Sequence, residues 1–259
     1  MVAISPPTLS IVAPLYNECE SVAELTARCI ATARHFGLPF EVILVDDAST
    51  DGTLRALADL SAAQDYRQFL RIVHLPNNIG QYTTTIAGLQ AARGELVVVL
   101  DGDLQDPPEV IADLLTRAAT VPEAEVVFAV KRSRDDALWM RGACAALRAL
   151  LAVFSTANAV GGAGSFCLMR RSLVDRAIAV PIKTANLAAV LASLHPVSAT
   201  VTYHKAARAH GQSRVGLWGL IREGLGSLAV TGSLRRLAWS ALALAAVVGV
   251  LSAVAVFAL

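Results

Sequence analysis

Between Leu9 and Ala129, short runs of apolar β-forming residues alternate with stretches long enough for helices, which limits the chain to an open, mostly parallel sheet covered by helices. The runs are Leu9–Ala13, Phe40–Val45, Leu70–Leu75, Leu96–Leu100 and Val126–Val130. Ser21-x-x-Glu24 has the form of a capping box and predicts the start of the first helix, which closes near Gly37. Asp51 caps a second helix, Gly80–Ala92 forms a third that stops before Gly94, and Pro107 with Pro108 opens a fourth. Further on, the pattern predicts a helix over Asp136–Phe154, a Gly161–Gly162–Ala163–Gly164 loop, a strand at Phe166–Met169 and a helix near Thr184–Leu194.

The fourth run leads straight into Asp101–Gly102–Asp103–Leu104–Gln105–Asp106–Pro107–Pro108–Glu109. A lone Asp-x-Asp fits a solvated turn as well as a site, but here an apolar strand delivers the acids to its C-terminal end, where open α/β sheets bind ligands. Alternation along an extended chain turns Asp101 and Asp103 to the same side. Two carboxylates facing one point suit Mg²⁺ or Mn²⁺, whose remaining positions are filled by phosphate oxygens and water. That donor set predicts a metal-chelated nucleotide diphosphate. The first two strands bring Pro14–Leu15–Tyr16–Asn17–Glu18 and Asp46–Asp47–Ala48–Ser49–Thr50–Asp51 to the same edge. Carboxylates there can accept hydrogen bonds from a ribose or a base, and Asp51 reads as a helix cap. Neither Gly-x-Gly-x-x-Gly nor Gly-x-x-x-x-Gly-Lys follows a strand, which argues against a dehydrogenase and a P-loop ATPase.

Composition adds a membrane element. The chain of 259 residues is 55% hydrophobic, with a mean hydropathy of +0.54, and the excess lies at the C-terminus. No residue from Leu237 to Leu259 is charged; as a helix the segment reaches about 35 Å, past a hydrocarbon core of about 30 Å. Arg235 and Arg236 precede it and orient the N-terminal domain to the cytoplasm, and Met1–Pro7 has no signal-peptide character. Between Val215 and Leu234, Leu217, Ile221, Leu225 and Leu228 share a helical face, as an interfacial helix requires. The expected organisation is a cytoplasmic domain over 1–214, a juxtamembrane helix over 215–236 and one transmembrane helix over 237–259. Cys19, Cys29, Cys144 and Cys167 form no Cys-x-x-Cys, and a net charge of +1 without basic runs argues against nucleic acid. His74, His195, His204 and His210 have no metal-ligand spacing and read as packing or hydrogen-bonding residues.

The ordered set Pro14–Glu18, Val45–Thr53, Asn78–Ile79–Gly80–Gln81 and Asp101–Glu109 resembles the family 2 glycosyltransferases. Within them the chain is similar to the polyprenyl-phosphate branch, through Arg132-x-Arg134–Asp135, Phe166–Arg171 and Arg208-x-x-Gly211-x-Ser213. The resemblance implies a GT-A fold. Pro14, Tyr16, Glu18 and Asp46, with Asp47 beside them, would line the nucleotide pocket, Asp101 and Asp103 would serve the metal and diphosphate, and Gln105 and Asp106 would lie near the sugar.

It further implies inverting transfer of one sugar, from a UDP-sugar in preference to a GDP-sugar, to polyprenyl (undecaprenyl) phosphate at the inner face of a bacterial cytoplasmic membrane. A phosphate with a second pKa of about 6 is already anionic and needs no strong base. Arg208, Ser213 and Arg132 would hold it. The small-residue-rich span and the interfacial helix offer surfaces for a homo-oligomer. In two respects the chain departs from that branch: Ser165 stands where an acid is usual, and one span is read where two are common. Ser165 leaves open a nucleotide-sugar-binding subunit of a membrane glycan-assembly complex, and a transferase to a neutral hydroxyl is a third reading.

Overall fold

The computed structural model describes residues 8–131, 163–181 and 186–204. Their elements are β1 (Leu9–Leu15), α1 (Val22–His35), β2 (Phe40–Asp46), α2 (Thr53–Ala62), α3 (Gln64–Arg67), β3 (Leu70–His74), α4 (Gln81–Ala91), β4 (Leu96–Val99), α5 (Val110–Thr120), β5 (Val126–Lys131), β6 (Ala163–Arg170), α6 (Arg171–Ile178), α7 (Leu187–Ser193) and β7 (Ser198–Tyr203). The seven strands form one sheet in the order β3-β2-β1-β4-β6-β5-β7. β6 is antiparallel to both neighbours and every other pair is parallel.

Buried residues on successive strand positions enter opposite layers, as the two-residue period of a strand requires. Ile11, Ala13, Val42, Leu44 and Val98 pack with α1 and α5, through Leu25, Ile30, Ile111 and Leu114. Val12, Ile43, Val45, Val97 and Val99 pack with α4, α6 and α7, through Leu89, Val174 and Val190. The central strands are therefore covered on both faces, which explains their near-continuous apolar sequence. α4 approaches the sheet most closely at Gly88, where a Cβ would overlap Val12 Cγ1 and lie 2.9 Å from Val45 Cγ2.

The strand order reverses around β1. The chain passes from β1 to β2 and β3 on one side, then returns through α4 to place β4 on the other. This is a topological switch point, and the crevice lies beyond the C-terminal ends of β1 and β4. Because β5 and β7 run parallel to these strands and β6 antiparallel, that edge also carries Lys131, Tyr203 and the start of β6 at Ala163. A clamp braces it from below: Arg28 on α1 donates to Glu109 through Nε (2.8 Å) and Nη2 (2.7 Å), and to Glu24 through Nη1 (2.9 Å).

Several boundaries differ from the sequence reading. Ser21 makes no capping bond; its hydroxyl donates to Glu18 Oε2 at 2.8 Å, so the expected capping box is replaced by a link back to the β1 loop. β6 begins at Ala163, so Ala163 and Gly164 belong to a strand rather than to the glycine loop. α7 starts at Leu187 behind Asn186, whose Oδ1 accepts the Ala189 amide at 2.8 Å. α3, α6 and β7 are additional elements. The helix expected over Asp136–Phe154 and the segments 215–236 and 237–259 lie outside the described residues. Among the described residues no helix is long and apolar enough to cross a membrane.

Gly88→Ala is expected to lower stability by about 2 kcal/mol, since overpacking against two stiff valines outweighs the roughly 1 kcal/mol gain in helix propensity. Urea denaturation checks this, and an unchanged midpoint would contradict the close approach. The hydrogen bonds from Arg28 hold the Glu109 carboxyl below its usual range. A depressed carboxylate contributes stability above its unfolded pKa and loses it as the pH falls through the folded one. With the Glu109 side chain 57% exposed, Glu109→Gln should cost at most about 1 kcal/mol at pH 7 and nothing at pH 2. Equal destabilisation at both pH values would identify the contact as packing rather than charge.

Candidate active site at the switch point

Three loops meet at the crevice and are tied together through side chains. After β1 the chain turns at Asn17, whose φ is 57°. Asn17 Oδ1 accepts the amides of Thr50 (2.7 Å) and Asp51 (3.3 Å), while its own amide donates to Ser49 Oγ (2.8 Å). The Glu18 amide donates to Thr53 Oγ1 at 2.8 Å. Asp51 Oδ1 accepts the amide of Thr53, the first residue of α2, at 2.9 Å, so this acid does the capping work expected of it although Gly52 holds the cap position. Burial opposes its charge, but the hydrogen bonds from Thr53 and Cys19 keep its carboxyl below the usual range.

Asp46, the last residue of β2, and Asp47 just after it are both buried. Asp46 Oδ2 pairs with His74 Nδ1 at 2.8 Å, so His74 is a hydrogen-bonding residue as expected. Asp47 grips the β3–α4 loop: Oδ1 accepts the Ile79 amide at 2.7 Å and Oδ2 the Gly80 amide at 3.0 Å. Gly80 has φ 87°, a conformation that glycine adopts without strain, and α4 begins at the next residue. This turn delivers Gln81 to the crevice.

Gln81 Nε2 donates to Asp101 Oδ1 at 2.7 Å, and Ser165 Oγ donates to the same oxygen at 3.0 Å. Burial alternates along the loop: Asp101, Asp103 and Gln105 are partly exposed, whereas Gly102, Leu104 and Asp106 are buried. Gly102 sits against the end of β1, where a Cβ would lie 2.5 Å from Leu15 Cδ2 and 3.1 Å from the Pro14 carbonyl oxygen. Asp103 Oδ1 accepts the Gln105 amide at 3.1 Å, an Asx turn that accompanies a φ of 59° at Leu104. Asp106 accepts a hydrogen bond from the Tyr203 hydroxyl. Burial, this bond, and the charges of Asp106, Asp101 and Asp103 push the Tyr203 hydroxyl far above its usual pKa. Phe166 meets the Tyr203 ring edge-on, with centroids 5.6 Å apart.

Pro14, Tyr16, Glu18, Asp46, Asp47, Asp101, Asp103, Gln105 and Asp106 thus gather at one sheet edge, with Tyr16 exposed and Pro14 buried. Arg132, Arg208 and Ser213 lie outside the described residues. Sequence reasoning missed Tyr203 and the part played by Gln81, although Gln81 falls inside a motif already singled out. Asp101 and Asp103 offer hard oxygen donors that fit Mg²⁺ or Mn²⁺. Among the described residues no three Asp, Glu, His or Cys side chains group as a full protein cage.

Residues 10–177 match the family model for glycosyl transferase family 2. The chain is 33% identical over 216 residues to the undecaprenyl-phosphate 4-deoxy-4-formamido-L-arabinose transferase of Pseudomonas fluorescens (strain SBW25), a match covering 82% of this chain and 61% of that protein. Its fold is like that of mannosyl-3-phosphoglycerate synthase from Rubrobacter xylanophilus, with a TM-score of 0.64 at 18% identity, covering 91% of this chain and 75% of that one. It is also like glucosyl-3-phosphoglycerate synthase from Mycobacterium tuberculosis, solved with Mn²⁺, UDP and glucosyl-3-phosphoglycerate, with a TM-score of 0.57 at 21% identity and coverage of 87% and 80%. The mostly parallel sheet with its flanking helices is accordingly GT-A-like. On the family match over most of its length, the chain belongs to glycosyl transferase family 2.

Proposed function

We propose that this glycosyltransferase moves one sugar from a nucleotide-diphosphate donor, UDP-linked in preference to GDP-linked, to polyprenyl (undecaprenyl) phosphate. The reaction takes place at the cytoplasmic face of a bacterial inner membrane. One observation carries the reading: the partly exposed carboxylates Asp101 and Asp103 stand at the switch point beside the loops that follow β1 and β2. The undecaprenyl-phosphate acceptor named in the Pseudomonas relative supports the acceptor class, and the Mn²⁺ and UDP of the Mycobacterium structure support the donor class and the cation.

Exposed Tyr16 flanks the base and Glu18 receives ribose or base donors, while buried Pro14 and Asp46 form the wall behind them. Asp101 and Asp103 hold Mg²⁺ or Mn²⁺, which supplies positive charge to the departing diphosphate. Gln105 faces the sugar, and Asp106, fixed by Tyr203, shapes the floor beneath it. A phosphate oxygen of the lipid attacks the anomeric carbon from the face opposite the diphosphate, so the new C–O bond forms as the old one breaks and the configuration inverts. The phosphate is already anionic near neutral pH, and no proton has to be removed in the step.

Holding the acceptor falls to Arg132, Arg208 and Ser213. Arg132 directly follows β5, and Arg208 follows Tyr203 by five residues, a reach of at most about 18 Å of extended chain. Both strands end on the edge that carries Asp101, which supports an acceptor site beside the donor site.

The detergent-solubilised protein, given Mn²⁺ and UDP- or GDP-sugars, is expected to release nucleotide diphosphate only when undecaprenyl phosphate is present and to yield a glycosylated lipid by mass spectrometry. Release that ignores the lipid, or transfer to a hydroxyl acceptor, would overturn the acceptor assignment. Asp103→Asn should lower kcat/KM by about 100-fold or more, as loss of several kcal/mol of charge stabilisation requires. Arg208→Ala should raise the KM for the lipid while leaving donor binding intact; an unchanged lipid KM would remove Arg208 from the site.

A further inference from the structure

Ser165 occupies the position at which the chain departs from the branch it resembles, and its surroundings give it a different task. β4 and β6 pair antiparallel, with Leu96 opposite Arg170, Val98 opposite Leu168 and Val99 opposite Cys167. Continuing that register two residues beyond the last pair sets Asp101 opposite Ser165. The Ser165 hydroxyl crosses this gap and donates to Asp101 Oδ1 at 3.0 Å. From the other side, Gln81 at the start of α4 donates Nε2 to the same oxygen at 2.7 Å.

We propose that Gln81 and Ser165 are positioning residues, a two-donor clamp that presets the Asp101 carboxylate for the cation and the donor diphosphate; this rests on the transferase reading above. A carboxylate oxygen has two lone-pair directions, so Oδ1 can accept from a side-chain amide and a hydroxyl together, and both donate to it here. The donors come from different elements, so a single rotamer satisfies both. Each donor is itself fixed, Gln81 by the grip of Asp47 on Ile79 and Gly80, and Ser165 by the β4–β6 register.

The chemistry of the donors matters as much as their geometry. Hydrogen bonds to an ionised acceptor are roughly twice as strong as neutral ones, so the pair orders the carboxylate before a cation arrives. Both donors are uncharged, so they hold the group without cancelling the charge that attracts Mg²⁺ or Mn²⁺. A lysine or arginine in their place would compete with the cation, and an acid at 165 would set a second negative charge against Asp101. Ser165 is therefore a working donor rather than the remnant of a lost acid.

The test measures Mn²⁺ affinity directly, from the free-ion signal in electron paramagnetic resonance, on the full chain in detergent with UDP present. Ser165→Ala and Gln81→Leu are each expected to weaken Mn²⁺ binding three- to tenfold and to raise the donor KM more than they lower kcat. Ser165→Thr, which keeps the hydroxyl, should stay within twofold of the parent. Melting temperatures measured without metal should be unchanged, which separates positioning from loss of fold. If both deletions bind Mn²⁺ as the parent does, or if the threonine variant fails as badly as the alanine one, the clamp is wrong. A parent that binds Mn²⁺ and UDP but transfers no sugar would overturn the transferase reading and leave the clamp standing.

Discussion

All seven residues of β1 are buried, and its neighbours β2 and β4 run parallel to it on either side. Neither face of that strand can be exposed to water without uncovering Ile11, Val12 or Leu15, so the strand cannot slip in register or leave the centre of the sheet. Once β1 is fixed, the ends of β2 and β4 are fixed to its end, and the loops after all three must emerge within reach of one another. The crevice is thus a consequence of core burial. Its acids need no separate device to bring them together, because the hydrophobic layers on both faces have already done so.

What remains is to turn the side chains inward, and the backbone does this at some energetic cost. Asn17, Ala48 and Leu104 adopt positive φ, and each lies just past a strand on this edge. Such conformations are unfavourable for residues with a Cβ, by about 1–2 kcal/mol. Local hydrogen bonds offset the strain: Asn17 Oδ1 gathers the Thr50 and Asp51 amides, and Asp103 collects the amide of Gln105 across Leu104. The β2 loop is held on both sides of Ala48, with the Ser49 amide over Asp46 and the carboxylate of Asp47 on the β3–α4 loop. Side chains that resemble binding groups by type therefore divide into those that build the loops and those the loops present.

This division explains which parts of the molecule could be read from sequence. The buried parallel strands were legible because coverage on both faces leaves a bare apolar run, and their expected limits fall within two residues of the observed ones. β7 was missed although Ser198-Ala199-Thr200-Val201-Thr202-Tyr203 alternates exposed Ser198, Thr200 and Thr202 with more buried Ala199, Val201 and Tyr203, the period of a half-buried edge strand; it lacks the bare apolar run by which the central strands are recognised. α6 follows β6 without a break, so no punctuation marks its start. The Ser21 capping box failed for a local reason: Glu18 competes for the serine hydroxyl. At the site, the acids could be found by their position after strands, whereas the links from Gln81 and Ser165 to Asp101 depend on sheet register. Tyr203 reaches Asp106 across a sequence separation of 97 residues, and no short motif encodes that contact.

The two edges of the sheet treat carboxylates differently, and the contrast bears on why the acids at the crevice are suited to a cation. At the opposite edge, buried Glu41 accepts from Ser10 Oγ at 2.7 Å and from the Arg93 amide at 2.8 Å, and Arg93 Nη2 closes an ion pair at 2.9 Å. Arg171 on the same side donates to the carbonyls of Ala92 and Gly94 that end α4. There, charge is matched by charge within the protein, and the result is a fixed base. At the crevice, the Ile79 and Gly80 amides hold Asp47, the Gln81 amide and Ser165 hydroxyl hold Asp101, and the Tyr203 hydroxyl holds Asp106. These uncharged donors set the direction of the carboxylates they hold, while at the same edge Asp46 pairs with His74 and Glu109 with Arg28; partial burial weakens the screening of the remaining field by water. A guanidinium such as that of Arg93 fixes a carboxylate by matching its charge, whereas dipolar donors such as those on Asp101 fix its direction, which suits the cation site proposed above.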